Sequence, residues 1–253
     1  MDVLSDQDRF LFDLQGFLVL RGVLPPEQIL RMQSELDNRH IAAETNDPFR
    51  SRFTGFLDWG DDWRGLIDHP RILPVLLAII GEKFRLDHLY GMSMRADVKS
   101  SGEGLHHHAA MFDYGCFYAT HGNRMHNGLV VVSYALCDVP AGAGGFCCIP
   151  GTHKSLYPVP PSWFGALDNP LVQHVPMQAG DVVIFSEALS HGTMPWTCTT
   201  HERRAVLLKY TPAYMQWSGS KKTMADLTKL SPRQQLIMAP PGMWDRPSVM
   251  SVG

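Results

Sequence analysis

The sequence predicts a mostly β protein with helices at its N-terminus, its strands folded as a double-stranded β-helix, the jelly roll that cupins also use. From about residue 84 onward, short apolar runs alternate with turn formers, and many of the chain's 22 glycines and 18 prolines fall between such runs. Helical spacing of apolar residues, by contrast, is concentrated in the first third. We therefore read the 253 residues as one domain, 1–253, with a helical N-terminal part (1–83), a jelly-roll core (84–218) and a C-terminal tail (219–253).

Each element has a local reason. The apolar stretch 10–14 leads through Gly16 into Phe17-Leu18-Val19-Leu20, which reads as a short buried strand. Pro25-Pro26 opens a helix with Ile29, Met32 and Leu36 on one face, since a proline in the first turn loses no hydrogen bond. A second helix is predicted over 70–80, with Leu73, Leu76, Leu77 and Ile80 inward and Gly81 as its stop. Between the two, 53–63 is aromatic, acidic and aperiodic, and reads as a loop. Strand-like runs follow at 84–94, 105–108, 128–136, 145–149, 172–176, 181–189 and 203–210. A helix-like stretch at 232–238 lies in the tail.

Composition excludes several functions. Net charge is −3 with no block of like charge, so neither nucleic acid nor an anionic membrane is an expected partner. No apolar run is long enough to span a bilayer, and the opening Met1-Asp2-Val3-Leu4-Ser5-Asp6 lacks the basic-then-apolar build of a signal peptide. The expected compartment is the cytoplasm. Cys116, Cys137, Cys147, Cys148 and Cys198 are odd in number and follow no zinc-like spacing, so they read as reduced thiols. Oligomeric state is not legible. With 12 histidines in the chain, only their positions carry weight.

Three motifs carry a resemblance. The segment Gly142-Ala143-Gly144-Gly145-Phe146-Cys147-Cys148-Ile149-Pro150-Gly151-Thr152-His153-Lys154 resembles the Gly-Gly…Pro-Gly-Ser-His-Lys stretch of the phytanoyl-CoA dioxygenase family. The stretch Gly16-Phe17-Leu18-Val19-Leu20-Arg21-Gly22-Val23-Leu24 and the unit from His191-Gly192-Thr193 to Arg203 resemble the same family in the same order. The resemblance covers about residues 8–240 and implies a jelly-roll core with N-terminal helices, using Fe(II), 2-oxoglutarate and O2 on small molecules.

The same resemblance implies the site. Iron that activates O2 is commonly held on one face by two histidines and a carboxylate, the other positions staying open. His191, delivered at the end of an apolar run, is implied as the later ligand, and His106, which opens His106-His107-His108 after Leu105, as the first. Arg203 is implied as the anchor for the far carboxylate of 2-oxoglutarate, which a guanidinium grips with a two-pronged fork that lysine does not reproduce. Thr193 is implied as a hydrogen-bond donor to that carboxylate. Arg204 is the rival of Arg203, because neighbouring strand residues face opposite sides; the family pattern matches Arg203 better. No catalytic residue beyond the metal ligands is expected.

Blander readings stand beside these. A lone histidine at a strand end is ordinarily a core or capping residue, and it is the company of Thr193 and Arg203 that argues for a ligand at His191. The run at 106–108 taken alone reads as a surface cluster. His153, inside the turn motif, reads as structural; His121, His126, His174 and His201 read as non-ligands, with His126 a candidate for the pocket mouth. Tyr118, Trp196 and Trp217 are pocket candidates by position only, core packing being their default role.

The third ligand is where the chain departs from the family. The usual pattern is His-x-Asp or His-x-Glu, because residues i and i+2 of a strand project from the same face. Two residues after His106 stands His108, not an acid. Three alternatives stay open: His108 ligates and gives a neutral three-histidine face, Asp113 folds back to restore the carboxylate, or the place is empty, as in halogenases with His-x-Ala, where chloride enters. His108 is the expectation. The expected function is an oxygenase, dependent on Fe(II) and 2-oxoglutarate, that hydroxylates an unactivated C–H bond of a small molecule. A halogenase variant and a non-catalytic jelly-roll protein that binds a metal or a small molecule are the alternatives. Retention of Thr193 with Arg203 favours an enzyme, since a pure binding module has no use for the pair.

Overall fold

The structure, a computed structural model, describes residues 4–39, 52–96, 98, 104–106, 115–163, 167–219 and 226–252. In chain order these form α1 (Asp6–Gln15), β1 (Phe17–Leu20), α2 (Pro26–Asn38), β2 (Arg52–Phe53), α3 (Asp61–Arg64), α4 (Leu73–Ile79), β3 (Phe84–Met94) and β4 (Gly104–His106). Next come β5 (Tyr118–His121), β6 (Arg124–Asn127), β7 (Val130–Ala135), β8 (Gly145–Cys148), β9 (Gln173–His174), β10 (Val182–Ser186), β11 (His191–Met194), β12 (Arg203–Pro212) and α5 (Pro232–Met238).

The architecture is the mostly β jelly roll with N-terminal helices that the sequence predicts. A six-stranded sheet runs β1-β10-β7-β12-β3-β2, every neighbouring pair antiparallel. A three-stranded antiparallel sheet, β11-β8-β9, faces it, and β5 with β6 forms a hairpin. The larger sheet recruits β1 and β2 from the N-terminal part. Asp181 fixes that junction: its carboxylate accepts from the Gly22 and Gln178 amides, each at 2.8 Å, and from Arg21 at 2.7 Å.

The larger sheet is buried on both faces, so its strands read as near-continuous apolar runs rather than alternating ones. On one face Val130, Val132, Tyr134, Val182, Ile184, Val206, Leu208 and Tyr210 pack beneath the helices. On the other, Val131, Ala135, Val183, Phe185, Ala205 and Met92 meet Phe146 and Cys148 of the smaller sheet. This parity decides where every polar residue on these strands goes. Odd-numbered positions of β12 point between the sheets and even-numbered ones point away, up to an irregularity in the pairing with β3 between Lys209 and Tyr210.

The helices differ in detail from their sequence patterns. In α2, Ile29, Met32 and Leu36 are buried, as their spacing predicts. The helix expected over 70–80 is shorter, and it buries Val75 and Ile79 beside Leu73 and Leu76, leaving Leu77 only partly covered. In a two-turn helix the nearest neighbours, rather than a long apolar stripe, decide which side chains are covered. The stretch 53–63 is more ordered than a loop. It folds into a 3-10 turn at Phe56–Trp59 and into α3, and Trp63 packs against Phe56 and Trp59 with ring centroids 5.4 and 5.1 Å away. Four large rings crowd this short segment, and burying them organises it without helical periodicity.

Candidate metal centre

His191 opens β11, immediately after the turn that leaves β10. Its Nδ1 donates to the Leu189 carbonyl at 2.6 Å, which in the neutral ring leaves Nε2 as the donor atom for a metal. Phe185 packs on the imidazole with centroids 4.6 Å apart, and the residue itself is 4 % exposed. His106 ends β4, and its ring meets that of His191 at 4.3 Å. The glycine between His191 and Thr193 is what allows this approach. A methyl group on Gly192 would collide with the main chain of Gly104, so only glycine lets β4 lie against β11.

A third donor completes the cluster, one that the sequence pattern does not mark. Glu187 lies in the turn between β10 and β11, with Oε1 3.8 Å from His191 Nε2. One donor atom each from His106, Glu187 and His191 lie within 4.8 Å of one another, the one such trio of possible metal donors among the described residues. Lys209 reaches across from β12 and donates to both Glu187 oxygens at 3.0 Å. Burial opposes ionisation of this carboxyl, yet the Lys209 ammonium, by its charge and its hydrogen bonds, leads the influences that outweigh it and hold the pKa down to about 2. Burial likewise works against the Lys209 ammonium, and Glu187 reverses that and raises its pKa.

The cluster opens into a cavity of ≈ 190 Å³ between the two sheets, whose wall includes His88, Tyr90, Ser133, Thr193, Arg203 and Lys209. Arg203 is 3 % exposed, and its Nη1 meets only the sulfurs of Met92 at 3.2 Å and Met94 at 3.3 Å, both weak acceptors. Its Nε has no hydrogen-bond partner, and no carboxylate among the described residues pairs with the guanidinium. A Cβ at position 145 would sit 3.1 Å from that Nε, so the second glycine of the Gly144-Gly145 pair leaves room for the guanidinium. Arg204 takes the opposite face, where it pairs with Asp37 at 2.6 Å. At the rim Arg52 stacks over Tyr90, its Cζ 4.5 Å from the ring centroid, and His88 is held by the buried Asp87 through Nδ1 at 2.7 Å.

The structure thus brings together His106, His191, Thr193 and Arg203 around one cavity. His108 and Asp113, the two candidates for a third ligand, lie outside the described residues, as does the end of the run 105–108. His153 is buried and donates from Nε2 to the Asp13 main-chain oxygen, 3.1 Å away, tying the turn after β8 to α1. His201 bonds the Asp138 carbonyl at 2.9 Å, His174 bonds that of Gly144, and His121 and His126 are exposed on the β5–β6 hairpin. Among the sequence's pocket candidates, Tyr118 bonds Asp13, Trp196 is buried against His201, and Trp217 covers Gly115; none of the three lines the cavity, nor does His126. The sequence does hold one signal for the Glu187–Lys209 pair: Lys209 is a charge inside an apolar strand with the parity of Arg203, and a buried ammonium requires an acid nearby.

Fold and site together define a jelly-roll protein with a histidine–carboxylate cluster and, between its sheets, an arginine that no carboxylate among the described residues pairs with. The sequence profile of the phytanoyl-CoA dioxygenase (PhyH) family matches residues 12–205, and the chain belongs to that family. No curated protein matches it in sequence. Among solved structures it is similar to HygX from Streptomyces hygroscopicus with nickel and 2-oxoglutarate bound, at 21% identity and a TM-score of 0.72 over 99% of this chain and 100% of that one. The iron-bound form of HygX gives 21% and 0.71 over 100% of both chains. SnoN, a non-heme alpha-ketoglutarate-dependent epimerase from nogalamycin biosynthesis, gives 21% and 0.62 over 95% of this chain and 96% of that one. At these identities the likeness is one of fold.

Proposed function

We propose that this protein is an Fe(II)- and 2-oxoglutarate-dependent oxygenase that hydroxylates a C–H bond of a small molecule. His106 and His191 hold the iron; Arg203 and Thr193 bind the co-substrate. The observation that carries the reading is Arg203, a buried cation that no carboxylate among the described residues pairs with, in the same cavity as two histidines poised around a common point. An unpaired charge taken out of water costs several kcal/mol, which a carboxylate delivered to the cavity offsets. A dicarboxylic keto acid with one end at the metal and the other at the guanidinium satisfies both halves of the site. HygX, of the same fold, has been crystallised with a metal and 2-oxoglutarate, which supports the choice of ligand.

When bound, the iron and 2-oxoglutarate supply the oxidative chemistry: O2 is consumed, the keto acid becomes succinate and CO2, and one oxygen atom enters the substrate C–H bond. The chain's own residues bind, orient and shield. Arg203 offers two N–H groups to the far carboxylate, and Thr193, on the face of β11 shared with His191, adds a hydroxyl. The Leu189 carbonyl fixes the tautomer and ring orientation of His191. Phe146 and Phe185, with ring centroids 6.3 and 4.6 Å from that of His191, keep water from its flank. The five cysteines are all free, as suits a reducing compartment such as the cytoplasm, and no helix among the described residues is long and apolar enough to cross a membrane.

The test is direct. Anaerobically purified protein is given Fe(II), 2-oxoglutarate and air, and succinate is followed by mass spectrometry, since uncoupled turnover often proceeds without the true substrate. We expect iron-dependent succinate from the wild type and none from His191→Ala, which should also fail to retain iron. Iron retained at wild-type stoichiometry in that variant defeats the reading.

A further inference from the structure

We infer that Glu187 is the third protein ligand of the metal, supplying from the turn before β11 the carboxylate that the His106 strand lacks. This rests on the iron reading above and adds the identity of the acid. The sequence places His108, not an acid, two residues after His106. The fold supplies an acid from elsewhere. Glu187 is 4 % exposed, and its Oε1 lies 3.8 Å from His191 Nε2 within the trio that also holds His106. A first-row divalent ion holds such donors at about 2.0–2.2 Å, which sets neighbouring donors roughly 3 Å apart. The trio lies within 4.8 Å, so binding an ion requires its donors to draw together by about 1–2 Å.

The partnership with Lys209 fits this role. A carboxylate has about four lone-pair sites, and one ammonium bridging both oxygens at 3.0 Å leaves sites on the histidine side. Lys209 lines the cavity together with both histidines, and the Glu187 carboxylate it holds lies directly against His191. Lys209 is therefore a positioning residue. It holds the carboxylate plane, and it compensates the charge when no metal is bound. On this reading the ligand set is two histidines and one carboxylate after all, with the acid donated from the β10–β11 turn instead of from β4. A carboxylate in that place also leaves no vacancy for chloride, which tells against the halogenase alternative.

The experiment measures Mn(II) binding, by calorimetry and by electron paramagnetic resonance, on the full chain and its variants. Glu187→Gln and the double variant Glu187→Gln with Lys209→Met should each bind Mn(II) at least ten-fold more weakly than the wild type. The double variant removes both charges, so it keeps its fold, as circular dichroism checks, even if the single variant strands a buried ammonium and does not. Lys209→Met alone leaves an unpaired buried carboxylate. Its melting temperature should fall without metal and recover on adding Mn(II) by more than the wild type gains. Wild-type Mn(II) affinity in the double variant, or a Lys209→Met protein that metal does not rescue, overturns the inference and leaves a structural ion pair only. Loss of binding in His108→Ala or Asp113→Ala, with binding intact in the double variant, assigns the third place to those residues and also overturns it. His191→Ala is the separate control: Mn(II) retained there sinks the iron reading itself, whereas Mn(II) lost there and retained in the double variant sinks only the role of Glu187.

Discussion

Arg203 and Arg204 are adjacent, chemically identical and opposite in consequence. Strand parity sends the first between the sheets, where it meets two thioethers, and the second to Asp37 on the far face. A guanidinium whose acceptors among the described residues are two sulfurs forms its best hydrogen bonds when an anion arrives. Arg203→Ala should therefore weaken 2-oxoglutarate binding by about 2–5 kcal/mol, the range for truncating one partner of a buried charge pair, while leaving metal binding in place. Arg203→Lys should recover only part of it, because an ammonium lacks the planar fork. Arg204→Ala should leave 2-oxoglutarate binding unchanged. Calorimetric titration of the Mn(II)-loaded proteins reads all three, and a loss in Arg204→Ala with none in Arg203→Ala would mean that the site opens to the other face of β12. Strand parity left Arg203 and Arg204 as rivals in the sequence, and only the resemblance to the family pattern favoured Arg203. Glu187 was not legible, because it sits in a turn whose direction no alternation encodes. Thr193 and Arg203, the residues that led the sequence reading to His191, lie downstream of it, and Glu187 lies upstream.

At the scale of elements, the site depends on two junctions. One is the contact of β4 with β11, possible because position 192 has no side chain. Gly192→Ala should push the strands apart, cost about 1–3 kcal/mol of stability as overpacking does, and weaken metal binding because His106 rides on β4. Urea denaturation together with Mn(II) titration measures both effects; a variant that loses stability but binds metal normally would show that β4 holds His106 without help from β11. The other junction is the Asp181 turn, which ties β1 to β10. Its carboxyl is buried, and burial raises its pKa, but the Gln178 and Gly22 amides and Arg21 outweigh that and hold it below the ordinary 3.8. A depressed folded-state pKa means stability that is present above about 3.8 and lost as pH falls through the folded value. Asp181→Asn should thus cost about 1–3 kcal/mol at neutral pH, mostly through weakened amide acceptors, and the gap from wild type should close below that pH. Denaturation curves at pH 7 and at acidic pH test the sign. The apolar run 181–189 was plain in the sequence. That β1 would extend this sheet was not, because a four-residue apolar run fits many buried edges equally well.

Over the whole molecule, the His106–Glu187–His191 cluster and Arg203 draw on different parts of the jelly roll. His191 and Thr193 belong to the smaller sheet, Arg203 and Lys209 to the larger, and Glu187 to the turn that joins the two. Filling the cavity therefore links the sheets through ligands that an unfolded chain does not bind as a set, and occupancy should appear as stability. A ligand at a hundred times its dissociation constant adds about 2.7 kcal/mol. For a domain of this size each kcal/mol moves the melting temperature by roughly 2–4 °C, so one saturated ligand should raise it by about 5–11 °C. We expect the increments to come in order: Mn(II) first, then 2-oxoglutarate only when Mn(II) is present, because the keto acid needs the metal at one end and Arg203 at the other. In Arg203→Ala the first increment should persist and the second should shrink to near zero. Thermal scans with each ligand alone and with both distinguish this from independent binding. If 2-oxoglutarate raised the melting temperature equally well without metal, the dicarboxylate would be held by the basic residues of the cavity alone, and the two ends of the site would not be coupled.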